Sequence, residues 1–306
     1  MKILLLGKNG QIGQAIQHLS HTSPWPIGWE LVAWDREQGD LANAEKLIAA
    51  VEKLKPDTII NAAAYTQVDK AETEQEICRA INTIAPEKLA QYCAAREIPF
   101  LHYSTDYVYE GTGTNPHLEN EKYRPQNFYG LSKSQGDDAI VKAGGQYLIF
   151  RTSWVYSHAG KNFLLTMLKL GGEREQLKIV DDQVGSPSYA PDLAKYTLDA
   201  LMKSLELKTA NQRFPAGIYH LCNAGYTTWL EFAQNIFASA REQGMNLAVK
   251  DVSGIATAAY PTPAKRPLNS RLSLHKLQQT FHTDIRDWQS ALREAIAEVK
   301  KENNPA

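Results

Sequence analysis

Cysteine is scarce. The 306 residues hold three, Cys78, Cys93 and Cys222, and none forms a C-x-x-C pair. An odd count at such spacing argues against a disulfide framework and suits a cytoplasmic chain with buried or idle thiols. Charge of one sign is also lacking: the formal net charge is −1, so no basic field marks the chain for nucleic acid. No apolar run approaches the length of a membrane span. The opening MKILLLG is no secretory signal, because its apolar run is short and ends in a glycine turn. Internal repeats and low-complexity tracts are missing. What remains is ordinary for a soluble globular protein, 43% hydrophobic and 22% charged. The length suits one large domain with a smaller lobe.

Along the chain, short apolar runs alternate with helical stretches. KILLL (2–6) suits a strand buried on both faces, and ELVAW (30–34), DTIINAAA (57–64, running into a turn), IPFLHYST (98–105) and QYLIFRTS (146–153) read as further strands. Helical stretches follow at about 11–19, 42–54, 69–96 (with Pro86 dividing it) and 127–143, and SPWPIG (23–28) reads as a loop. This alternation predicts a Rossmann-like α/β fold: a doubly wound parallel sheet with helices on both faces and right-handed crossovers. The pattern loosens after Trp154. A strand near 177–181, a helix from about Pro191, a strand at 217–222 and an amphipathic helix at 227–242 precede a proline-rich stretch, 260–272, read as irregular. The predicted division is a dinucleotide-binding domain over 1–155, with returning segments near 190–220. A C-terminal substrate-binding lobe takes 156–190 and 221–306.

The first strand runs into GKNGQIG and then a helix. Gly7, Gly10 and Gly13 there let the backbone approach a pyrophosphate, and the helix N-terminus offers free N–H groups to it. Asp35, 22 residues beyond Gly13 at the end of the second strand, is placed to bond a ribose hydroxyl of NADH. Arg36 beside it could instead meet the 2′-phosphate of NADPH, so the choice of cofactor stays open. Ligands of such sheets lie at the carboxyl ends of the strands. Those ends carry NAAAYT (61–66), YSTDYVY (103–109) and RTSWVY (151–156). FYGLSK (128–133) opens a helix beside the same rim, with Tyr129 and Lys133 one turn apart. With fourteen tyrosines in the chain, the pair gains meaning only from this setting. A phenol is a sound acid near neutrality, and a nearby lysine favours its ionised form. Tyr129 is therefore expected to be the general acid for a carbonyl receiving hydride. Lys133 is expected to hold its charge and orient the nicotinamide ribose, and Thr105 to tune the hydrogen bond. Lys265 and Arg266 sit in the proline-rich stretch, where a loop could face a ligand.

The glycine turn, the NAAA turn, Thr105 and YGLSK together resemble the extended short-chain dehydrogenase/reductase superfamily. The segments NAAAYTQVDKAE, HYSTDYVYEGTG, LIFRTSWVY, NFLLTML, DDQVGSPS, GIYHL and YPTPAKRPLNSRL extend the resemblance over nearly the whole chain, to its dTDP-4-dehydrorhamnose reductase family. The resemblance implies NAD(P)H-dependent reduction of the 4-keto group of a dTDP-sugar, dTDP-4-dehydro-β-L-rhamnose. It implies dinucleotide contacts at Gly10, Gln11, Ile12, Asp35, Asp40, Leu41, Ala63, Ala64, Tyr65 and Tyr103, with Tyr129 and Lys133 at the ribose. It implies sugar contacts at Val68, Thr105, Asp106 and Trp154, and diphosphate and base contacts near Asn162, Gln183 and Arg266. Some members are dimers bridged by Mg²⁺ through glutamates. Here Gln14-Ala15 and Pro191-Asp192 stand in those regions, so no metal site is expected, and the association state stays open between monomer and homodimer. Related dehydratases carry Asp-Glu after the catalytic threonine, where this chain has Asp106-Tyr107. Two rival readings share the fold: a non-catalytic nucleotide-binding subunit like the β subunit of methionine adenosyltransferase, and another nucleotide-sugar epimerase or dehydratase.

Overall fold

The computed structural model describes residues 1–22, 25–210 and 212–303, so Ser23 and Pro24 of the expected 23–28 loop lie outside the described residues. Its strands are β1 (Lys2–Leu6), β2 (Glu30–Trp34), β3 (Thr58–Asn61), β4 (Phe100–Thr105), β5 (Tyr147–Thr152), β6 (Val155–Tyr156), β7 (Gln176–Val180), β8 (Val184–Gly185), β9 (Ser188–Tyr189), β10 (Gly217–His220), β11 (Thr227–Thr228), β12 (Asp251–Ile255) and β13 (Asn269–Ser270). Its helices are α1 (Gln11–Thr22), α2 (Ala44–Leu54), α3 (Gln75–Arg79), α4 (Ala85–Arg96), α5 (Phe128–Ala143), α6 (Phe163–Glu173), α7 (Ala190–Thr209), α8 (Trp229–Glu242), α9 (His275–Phe281) and α10 (Trp288–Asn303).

Six strands form one sheet in the order β10-β5-β4-β3-β1-β2, with every neighbouring pair parallel. The chain reverses its direction of travel across the sheet between β1 and β3. That switch point is where a doubly wound sheet opens a crevice. One core packs Ile3, Leu5, Ile60, Leu101, Leu148 and Phe150 against α1 and α7; the other face packs Leu4, Leu6, Ile59 and Ile149 against α2 and α4. Full burial on both faces explains why these strands read as continuous apolar runs. A separate core joins α6, α8, α10 and β7 through residues such as Leu164, Phe232, Ile236, Leu292 and Ile296.

Four helices begin where a side chain caps the first turn: Asn43 (α2), Asn127 (α5), Asn162 (α6) and Thr228 (α8) each accept a backbone N–H three residues on. The long helical stretch before β4 is divided not by a break at Pro86 but by a π-helical turn, Ala80–Ile84, with Pro86 seated harmlessly at the start of α4. Three features depart from expectation. The strand near 177–181 is paired in parallel with β12, which carried no clear strand pattern. The proline-rich stretch ends in a two-residue strand, β13, on β8. Residues 274–285, expected in the C-terminal lobe, bring Leu277, Phe281 and Ile285 into the core against the sheet, because Leu277 and Phe281 share one face of α9.

Candidate active site

Gly7 leaves β1 with φ +85°, and its N–H and that of Lys8 both donate to the Trp34 carbonyl at 3.1 Å, tying the turn to the end of β2. Gly13 packs directly on Gly7: a Cβ there would lie 2.1 Å from the Gly7 carbonyl oxygen. Only glycine permits this approach of α1 to the strand end. The open backbone at Gly10 and the free N–H groups of the first turn, Gln11 to Gly13, fit a dinucleotide pyrophosphate. Asp35 stands beside the turn. Its carboxylate pairs with Lys8 Nζ at 2.9 Å and accepts the Glu37 N–H at 3.0 Å. The Lys8 ammonium, helped by these backbone N–H groups, holds the Asp35 carboxyl below its usual range. Arg36 is exposed and pairs with Asp40 at 3.4 Å.

Ala63 and Ala64 follow β3, with Ala63 against Gly7 and its N–H donated to Asn61 Oδ1 at 3.2 Å. Tyr65, Leu41 and Tyr103 are buried. The Tyr65 phenol donates to Glu74 at 2.6 Å, and the Tyr103 phenol meets Thr197 at 2.6 Å. The three belong to different cores, Tyr103 on the α1/α7 face of the sheet, Leu41 on the α2/α4 face and Tyr65 in a small cluster with Phe128.

Thr105 ends β4. Its hydroxyl donates to Asp106 Oδ1 at 3.0 Å and accepts the Tyr107 N–H at 3.2 Å. The other Asp106 oxygen accepts from Ser270. Burial pushes the Asp106 carboxyl up to about 6 against the pull of Ser270 and Thr105. Tyr129 opens α5 with its ring edge-on to Tyr107 at 5.5 Å. Burial raises its phenol well above the ordinary value, while the Thr105 hydroxyl beside it pulls the other way.

Lys133 is fully buried and does not meet the Tyr129 phenol. Its Nζ lies 2.6 Å from the Tyr103 carbonyl oxygen and 3.0 Å from His102 Nε2. Spacing of four residues sets the two side chains on one face, but a buried amino group turns to the nearest polar atoms, which here belong to β4. Burial pulls Lys133 down to about 8, with Asp137 and Cys78 opposing.

Across from these residues opens a cleft of about 910 Å³. Trp154, Gln183 and Arg266 line it, as do Asp69, Phe163 and Trp229. Trp154 has φ +47°, rare for an L residue. Its ring stacks on Trp229 at 3.6 Å, and Phe163 lies 4.5 Å beyond. Gln183 accepts from the Trp229 indole at 3.2 Å and donates to Thr257 at 3.0 Å. Arg266 pairs with Asp69 at 2.6 Å.

A family model described as the RmlD substrate binding domain matches residues 1–301. The chain belongs to this family. It is 42% identical to a dTDP-4-dehydrorhamnose reductase of Shigella flexneri over 98% of both chains. The crystal structure of a dTDP-4-dehydrorhamnose reductase from Clostridium acetobutylicum superposes with a TM-score of 0.87 at 33% identity, covering 98% of this chain and 100% of that one. That of the Bacillus anthracis enzyme, in complex with NADP, gives 0.85 at 31% identity, covering 97% and 99%.

Within this member of the RmlD substrate-binding family, Val68, Thr105, Asp106 and Asn162 of the expected substrate contacts are not among the residues that line the cleft. Asn162 does not line the cleft; it caps α6 and donates to Gln11 Oε1 at 3.0 Å, beside the glycine turn. Lys265 reaches away to Gln126 at 2.9 Å. Val68 is partly buried in the loop that carries Asp69. Lys8, Asp69, His102 and Trp229 were missed. Lys8 lay inside the glycine motif and could have been flagged as the cation nearest Asp35, whereas Trp229 read only as the apolar face of α8. Asp192 is turned inward to Arg286 at 2.7 Å. Among the described residues no group of three or more His, Cys, Asp or Glu side chains could hold a metal ion, and no helix is long and apolar enough to cross a membrane.

Proposed function

We infer that this chain catalyses the NAD(P)H-dependent reduction of dTDP-4-dehydro-β-L-rhamnose to dTDP-β-L-rhamnose in dTDP-rhamnose biosynthesis. The observation that carries this reading is the Thr105 hydroxyl at the end of β4 beside the Tyr129 phenol of α5, next to an aromatic-walled cleft, in a chain similar to such reductases over its full length.

The backbone at Gly10, Gln11 and Ile12 would hold the pyrophosphate, Asp35 with Lys8 the adenosine ribose, and Lys133 the nicotinamide ribose. When bound, the reduced dinucleotide supplies hydride. Tyr129, kept protonated by its buried setting, gives its O–H proton to the sugar keto oxygen as that oxygen gains charge, and regains a proton from water afterwards. Thr105 steers the same oxygen. Its own proton rests on Asp106 and must turn toward the substrate to serve it. Trp154 offers a face to the sugar, and Arg266 a planar, delocalised cation to the diphosphate once released from Asp69. The three cysteines are unpaired and buried, which fits a reducing cytoplasm.

The test is direct. Purified protein should oxidise NADPH or NADH with dTDP-4-dehydrorhamnose and yield the reduced sugar. Binding without turnover would favour the non-catalytic subunit. Elimination of water from dTDP-glucose would favour the dehydratase, and Tyr107 speaks against it. Where a dehydratase needs a carboxylate base, this chain has a phenol that burial and Asp106 push up to about 12.

A further inference from the structure

Gln183 and Gly185 stand two residues apart where β8 begins, so the two positions face the same side of an extended stretch. Both meet the aromatic wall of the cleft. Gly185 leaves room for the Trp154 indole, which would lie 2.7 Å from a Cβ there. Gln183 meets the Trp229 indole, and hydrogen-bond bookkeeping settles which way round its amide lies. Thr257 gives its hydroxyl proton to the Asp182 carboxylate, which can only accept. The Thr257 oxygen therefore offers a lone pair, and the Gln183 group facing it at 3.0 Å is the NH2. That leaves Gln183 Oε1 facing Trp229 Nε1 at 3.2 Å, and an indole N–H can only donate. In this orientation every donor of the row meets an acceptor. A flipped amide would set two donors against each other at the indole.

Trp229 needs such a hold. It is the first residue of α8, and its backbone is anchored by Thr228, which caps the helix and donates to Asp181 at 2.7 Å. The indole itself is half-buried and stacks on Trp154 at 3.6 Å with the planes 13° apart. Trp154 in turn rises from a left-handed backbone, a conformation that persists only where its surroundings hold it. Both rings line the cleft. We propose that Gln183 is a positioning residue of the cleft: through Trp229 it holds the Trp154 ring, so that the aromatic wall stands built before the sugar nucleotide arrives. A wall ordered in advance spares the ligand the cost of ordering it. The family resemblance puts Gln183 near the diphosphate and base; here it acts through two rings.

This inference rests on the reading of the cleft as the sugar-nucleotide site, but its first test needs no ligand. Stacked indoles couple their far-ultraviolet transitions and give a paired positive and negative circular-dichroism band. Trp25 and Trp29 form a second indole pair, edge-on at 5.8 Å, so the signal of the stack is the part that Trp154→Phe removes. Gln183→Met keeps the length of the side chain and removes the amide. It should lose most of that signal while helix content and the urea midpoint are kept. KM for dTDP-4-dehydrorhamnose should rise by about three- to tenfold, the worth of one hydrogen bond, with kcat within about twofold. Thr257→Val, which frees the amide to turn, should weaken the signal less. A full signal in Gln183→Met would overturn the hold on Trp229; should that variant unfold, a full signal in Thr257→Val overturns it alike. A lost signal with KM unmoved would sink the link to the sugar nucleotide. A wild type that never turns over the sugar counts against the reductase reading instead, and the signal still decides on Gln183.

Discussion

At the strand ends behind the cleft, Thr105, Asp106 and Lys133 are 5%, 2% and 1% exposed, and each commits its polar atoms to partners of fixed geometry. On the facing side, Trp154, Phe163 and Trp229 are held by ring stacking, and Arg266 by one ion pair at a partly exposed position. The first arrangement fixes where protons lie. The second presents area and a cation that can be exchanged. Proton transfer requires the former, and the latter suffices for gripping a nucleotide. If the division is real, substitutions on the sheet side should alter kcat and those opposite should alter KM.

The largest effect should come from Tyr129→Phe, which removes only a hydroxyl. Turnover should fall by about 10²–10⁴-fold while cofactor binding, read by fluorescence titration, persists. Activity within a few-fold of wild type would remove Tyr129 from the acid role.

Next comes Asp106. Its folded-state value of about 6 lies above the ordinary 3.8, so the folded protein holds this proton more tightly than the unfolded chain. The resulting stabilisation is complete below about pH 4 and lost as pH rises through 6. Relative to Asp106→Asn, which does not titrate, wild-type stability should therefore decline between pH 4 and 7 by roughly 3 kcal/mol. Parallel urea denaturation curves at both pH values would show that Asp106 is not under this stress.

Smaller still is Trp229→Leu. Losing the stack on Trp154 should raise KM for the sugar nucleotide by up to about tenfold, with kcat nearly kept. A drop in kcat alone would blur the two walls. The smallest effect is expected of Asp69→Asn, which keeps an acceptor for the Ala264 N–H but frees Arg266 from its carboxylate. KM should fall by about two- to threefold, a gain comparable to a surface ion pair. A rise in KM would make Asp69 itself a ligand.

Much of this was legible from the chain. The five N-terminal strands announced themselves by short apolar runs, buried on both faces in all but the edge strand β2, and the glycine turn because its spacing follows from backbone contact. Thr105 and Trp154 were expected at strand ends and Tyr129 on the following helix, and the structure has them there, at the close of β4, just after β5 and in the first turn of α5. The direction of the Lys133 side chain was not legible, since it is decided by the polar atoms of β4 rather than by helical spacing. Nor was the Asp69–Arg266 pair, whose partners lie 197 residues apart. The pairing of β12 with β7 escaped too, because a two-stranded ribbon half open to water needs no continuous apolar run.

The backbone of Trp154 has a consequence for how such sequences can drift. Its left-handed conformation costs about 1–3 kcal/mol, and the ring it projects leaves so little room that a Cβ at Gly185 would come within 2.7 Å of the indole. A methyl group at position 185 is then excluded while tryptophan stands at 154, and becomes tolerable only after 154 has shrunk. The order of substitutions matters, so in descendants of this chain the two positions should change as a pair, tryptophan first.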